Sequence, residues 1–173
     1  MKETKIQKTA LMGVLGALAL ALSAAESFIL PDIAMLPPGF KPGLSNIVTM
    51  FAAGCVSVPA TVYIVIIKAA FALITRGATA FFMSLAGGAL SALSMLLLLK
   101  LPKKSISYIG IGIVSALMHN SGQLLVSFAM TGTSAILGYA PFLAVSGAVT
   151  GFITGGILKA TVPAIEKVIK NKL

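Results

Sequence analysis

From residue 78 to residue 99 the chain runs 22 positions without a charged side chain. A stretch that long and apolar reads as a helix crossing a bilayer, because about 20 residues at 1.5 Å each cover the roughly 30 Å hydrocarbon core. Further apolar runs cover 8–25, 44–58, 60–76, 106–130 and 139–159, the second of them short. They are separated by Pro, Gly and Lys clusters such as "LPPGFKPG", "VSVP" and "KLPKK". Hydrophobic residues make up 58% of the chain and charged ones 10%. A soluble domain of 173 residues could not hide that much apolar surface. The expected architecture is an all-α integral membrane protein, one bundle of six transmembrane helices over 1–173. A Pro- and Gly-rich loop fills 26–43 and a basic tail fills 160–173. The start of the chain imitates a signal peptide, but its apolar run is long for one and reads as the first span.

Thirteen Lys and Arg residues face four Asp and Glu, a net charge of +9. In a soluble domain that balance would suggest nucleic acid. Here the lysines flank apolar runs, Trp is absent, and no aromatic residues interleave with basic ones, so nucleic acid is not an expected partner. Six spans put both termini on one side. That side collects Lys2, Lys5, Lys8, Lys100, Lys103, Lys104, Lys159, Lys167, Lys170 and Lys172, and the other only Lys41 and Arg76. Basic loops stay cytoplasmic. The reading is therefore a multi-pass cell-membrane protein with both termini and the tail cytoplasmic and the 26–43 loop extracellular.

Helix rise gives each polar residue a depth. Glu26 ends the first span at the outer surface, Asn46 enters the second just below it, and Arg76 ends the third. Lys68 lies half-way across. His119 is about 20 Å along the fifth span and Gln123 about 26 Å, with Asn120 between them. The inner half is almost purely aliphatic. A channel wants polar lining along its length and a proton pump wants a mid-membrane acid. Neither is present: Glu3, Glu26, Asp32 and Glu166 all lie away from mid-depth. The pattern describes a pocket open to the outside and sealed below. His119 and Gln123 are four apart and Asn120 and Gln123 three, so all three can point into the bundle. They either tie the fifth helix to its neighbours or bind a ligand. With Lys68 and Arg76 nearby, that ligand would carry carboxylate or phosphate oxygens. Lys68 can also snorkel or pair with Glu26.

No enzymatic constellation appears: no paired carboxylates, no P-loop, and no acid to orient a Ser121–His119 pair. No cofactor is implied. A metal at the lone His119 would lack a second strong ligand. Cys55, the single cysteine, excludes an intrachain disulfide and reads as a packing residue. Gly13, Ala17 and Ala21 repeat every four residues and make a flat face on the first span, for internal packing or for a partner subunit. Gly87, Gly88 and Ser91, and Gly147, Gly151 and Gly155, read as internal packing.

"KPGLSNIVTMFAAG" followed by "YIVIIKAAFALITRG" resembles the second- and third-span signature of substrate-binding S components of energy-coupling-factor (ECF) transporters. More narrowly, "ESFILP", "KPGLSNIVTM", "HNSGQLLVS" and "LAVSGAVTGFITG" resemble the membrane family called heptaprenyl diphosphate synthase component I, or Gx transporters. The resemblance runs from about Ser23 to Leu158. It implies a six-helix bundle with an outward pocket capped by the loop after span one. It also implies that Gly13, Ala17 and Ala21 dock onto a transmembrane T subunit driven by two ATPase subunits. Lys41, Asn46, Lys68, His119, Asn120 and Gln123 would be pocket residues. Pro42 departs from the family's usual Leu and reshapes the stretch after Lys41. The expected function is capture of a small organic solute such as a vitamin, flavin or isoprenoid precursor. Two alternatives stand beside it. One is a non-catalytic membrane subunit or scaffold for heptaprenyl diphosphate synthase or quinone metabolism, and the other is a solitary transporter or channel. Lipid is the one partner that all of these share.

Overall fold

Six α-helices form in the computed structural model, which describes residues 5–29, 43–102 and 106–170, with side chains over 6–26, 43–102 and 106–163. They are α1 (Lys5–Ile29), α2 (Asn46–Phe51), α3 (Val58–Arg76), α4 (Ala78–Leu98), α5 (Tyr108–Thr131) and α6 (Ala140–Lys170). A π turn, Ala52–Val56, continues α2, and a 3₁₀ turn, Ser134–Tyr139, leads into α6. Among the described residues there is no β-strand.

Among the described residues, five helical segments are long and apolar enough to cross a membrane: Ile6–Glu26, Val58–Arg76, Ala78–Leu98, Tyr108–Thr131 and Ser134–Pro163. Their outward faces carry large apolar side chains, among them Ile74, Phe82, Leu125, Val145 and Phe152. Water would not tolerate so continuous an apolar surface; lipid does. These features fit a multi-pass membrane protein.

The second expected span departs from a full crossing. The apolar helical segment Asn46–Val56 rises about 16 Å, half of a hydrocarbon core. It can stop short because protein surrounds it. Asn46, Val48, Thr49, Met50 and Ala52 are all buried, while Ile47 and Phe51 on the remaining face are half-buried and Gly54 and Cys55 are exposed. Val48 and Ala52 pack with Leu15, Ala19, Ala60 and Ile64 of α1 and α3. Met50 packs with Met95, Ile111, Leu158 and Val162 of α4, α5 and α6. A partial helix at membrane depth is tolerated only in such an enclosure. The chain then reverses at Ser57, whose extended backbone ends the π turn and whose Oγ accepts from Ala60 N–H to cap α3. Cys55 sits on that π turn and is exposed, not a buried packing residue as expected.

Small residues set the helix spacing. Gly88 faces Val65 of α3, and Gly87 of α4 touches Gly122 of α5. Gly112 of α5 lies against Gly151 and Gly155 of α6. α5 is thus held between α4 and α6 along its length. α1 leans on α2 and α3. The tail from residue 160 continues α6 as helix to Lys170.

One residue joins α3 to α4. Gly77 has φ 85° and ψ −175°, a conformation essentially reserved for glycine. A Cβ there would meet nothing within 4 Å, so substitution strains the backbone alone. Gly77→Ala is expected to lower the unfolding free energy by about 2 kcal/mol. Reversible unfolding in mixed micelles measures it, and a change near zero would remove the role given to this hinge.

Candidate functional site

Ser23 and Glu26 lie three apart on α1 and share its inward face. Glu26 is 2% exposed. A buried carboxylate needs donors. One oxygen accepts from the Leu44 N–H and the other from Ser45 Oγ at 3.4 Å. Glu26 therefore fastens the end of α1 to the turn that opens α2. In that turn Asn46 N–H donates to Gly43 O at 2.9 Å.

Asn46 is buried at the start of α2. Its Oδ1 accepts from Lys68 Nζ at 2.8 Å, and Lys68 stands at the middle of α3. Asn46 Nδ2 is buried with no hydrogen-bond partner.

His119 is gripped between two glycines. A Cβ on Gly87 would come within 2.8 Å of His119 O and 3.0 Å of its Nδ1. A Cβ on Gly43 would come within 3.3 Å of its Cδ2 and 2.7 Å of Asn46 Nδ2. Gly43 has φ 85°, so backbone and space both demand glycine there. The ring therefore has no room to swing toward α4 or toward the Gly43 turn.

These pieces meet in one small cleft, with about 20 Å³ of enclosed space behind an open mouth. Among the described residues it is lined by Ser23, Glu26, Gly43, Ser45, Lys68, Arg76, Ser84, His119 and Gln123. Five residues singled out in the sequence, Glu26, Lys68, Arg76, His119 and Gln123, thus come together from α1, α3 and α5. Asn46 supports the wall through Lys68. Lys41 lies outside the described residues.

Asn120 goes elsewhere. Its Nδ2 donates to Leu143 O of α6 at 2.7 Å and sits against Gly147. Successive helical residues are about 100° apart. On a helix packed on both sides, His119 and Gln123 therefore face the cavity while Asn120 faces α6. Asn120→Ala should lower the unfolding free energy by about 1 kcal/mol through loss of this bond. Unfolding titrations test this, and no loss of stability would refute the bond's role.

Ser23, Gly43, Ser45 and Ser84 also line the cavity, and the sequence reading did not count them as site residues. Ser23 is three residues before Glu26 and Ser84 three before Gly87, so helical spacing carried a signal. Isolated serines are otherwise common on apolar helices. Gly13, Ala17 and Ala21 are exposed on α1, away from the bundle interior.

Residues 15–161 match a family model described as heptaprenyl diphosphate synthase component I. No curated protein and no solved structure matches the chain.

Proposed function

We propose a capture function for this chain, which belongs to the heptaprenyl diphosphate synthase component I family: it binds a small organic solute from outside the cell, as the S component of an ECF-type importer. The observation that carries this is the cavity. Charged and hydrogen-bonding groups from four long helices and from the turn before α2 converge on it. Intramembrane ionisable groups are usually kept for a ligand or an ion. The lysine distribution supports cytoplasmic termini, which turn the cavity outward. The aliphatic core below it, with Met50, Met95, Ile111 and Leu158, offers a solute no path inward. Release would then need the whole bundle to reorient, driven by a T subunit and two ATPases. The exposed Gly13, Ala17 and Ala21 face on α1 suits docking of that T subunit.

A second reading has its own support, the family's description. The chain would be a non-catalytic membrane subunit beside a heptaprenyl diphosphate synthase. Affinity purification from native membranes separates the two. Recovery of a T subunit with ATPases supports capture, and recovery of a soluble prenyl synthase supports the second. Within the first reading, His119→Ala is expected to weaken solute binding at least about tenfold, since the ring is wall and donor together. Unchanged affinity would remove the pocket assignment.

A further inference from the structure

The exposed charge of the bundle gathers at the end away from the cleft. α1 and α3 begin there, with Leu15 and Ala19 against Ala60 and Ile64. α4 returns to it along α3 through Gly77. Leu158 of α6 packs with Met95 of α4 and Ile111 of α5, so α6 ends at the level where α4 ends and α5 begins. Lys8, Lys100 and Lys159 stand at this end with exposed side chains. The helices also place Lys5, Lys167 and Lys170 there. Glu26 is the one acid whose side chain is described, and it lies at the opposite end, in the cleft with Arg76. The described surface therefore offers these lysines no carboxylate.

Two further observations point to lipid as their partner. First, exposed large apolar side chains flank each exposed lysine in the chain: Ile6 before Lys8, Leu97 and Leu101 around Lys100, and Ile157 before Lys159. A lysine in that setting lays its stem along apolar surface and lifts its ammonium to the level of the headgroups. Second, the lysines are spread around the rim. The helices pack in the order α1, α3, α4, α5, α6. Lys8 is on the first of these, Lys100 follows the third, and Lys159 is on the last. A flat protein surface would cover one flank of such a rim, whereas the headgroups of one leaflet surround all of it. Lysines next to a membrane attract anionic headgroups, and the attraction fades within a Debye length.

We infer that this end of the bundle binds anionic phospholipid headgroups in preference to zwitterionic ones, through Lys8, Lys100 and Lys159. The inference does not depend on the capture reading. The test reconstitutes the full-length chain in vesicles of phosphatidylcholine with phosphatidylglycerol as the minority lipid. Native mass spectrometry of the protein released from them counts the bound lipids of each kind. One lysine near an anionic surface is worth about fivefold in partitioning. Phosphatidylglycerol is therefore expected on the protein at about five times its share of the vesicle. Lys8→Gln, Lys100→Gln and Lys159→Gln together should lower that enrichment at least about threefold, and Lys→Arg at the same three positions should keep it. Salt should lower it too, as the Debye length falls from about 10 Å at 0.1 M to about 3 Å at 1 M. No enrichment on wild type, or equal enrichment in a folded glutamine variant, overturns the inference. If that variant does not fold, the salt series on wild type decides, and enrichment indifferent to salt overturns it. Loss of an acidic protein subunit from the glutamine variant, with lipid enrichment unchanged, also overturns it and makes this end a protein interface.

Discussion

Gly112→Leu is expected to unfold or rearrange the bundle, with a stability loss of about 3 kcal/mol or more. A Cβ at Gly112 would lie 2.4 Å from Gly151 O and 2.9 Å from Gly155 Cα. Both are backbone atoms, so no side chain can turn aside, and α5 and α6 must separate. Gly151 and Gly155 present the same problem from the other side, at 2.4 Å from Ile113 Cα and 2.5 Å from Tyr108 O. Lipid gives helices no hydrophobic drive to associate, so close contact is what holds the seam. Separation also breaks the Asn120–Leu143 hydrogen bond that crosses it. Gly156→Ala is the control. It is one residue from Gly155, yet a Cβ there meets nothing within 4 Å. It should be neutral or stabilising by up to about 1 kcal/mol, the helix-propensity difference. Unfolding titrations of the two variants in the same micelles provide the comparison. Equal stability would show that the seam does not depend on glycine.

Glu26→Ala is expected to cost about 2–3 kcal/mol and to release the start of α2. It removes the acceptor for the half-buried Leu44 N–H and for Ser45 Oγ. The two donors would be stranded, since Ser45 is itself buried. Loosening spreads from there: Gly43 holds one edge of His119, and Asn46 holds Lys68. Hydrogen exchange over residues 43–47 should rise well above wild type, while exchange in α4 and α5 stays slow. Glu26→Gln keeps one acceptor oxygen and should lose less. Unaltered exchange over 43–47 in Glu26→Ala would mean that Glu26 does not anchor this turn.

Several features were legible in the sequence because they depend on one helix at a time. The apolar runs match membrane-length helices by composition and length alone. Depth counting put Glu26, Arg76, His119 and Gln123 in the outer half and Lys68 near the middle because rise per residue is constant. The glycines at 87, 147, 151 and 155 were readable as packing positions by spacing. Other features depend on neighbours. The short α2 looked like a span because its composition is that of one. Only the helices around it make half a crossing affordable in a bilayer. Asn120 and His119 are adjacent in sequence and equally polar, and nothing local says which faces the cavity.

The sequence by itself determined the apolar, membrane-length helices and the spacing of polar groups along each, since hydropathy and helix rise are properties of a segment in isolation. The tertiary structure decided which polar groups meet. That depends on how far each helix is rotated about its axis, and the rotation is set by backbone contacts at Gly87–Gly122 and Gly112–Gly151. Those contacts turn His119 and Gln123 to the cavity, turn Asn120 to α6, and bring Ser84 to the wall.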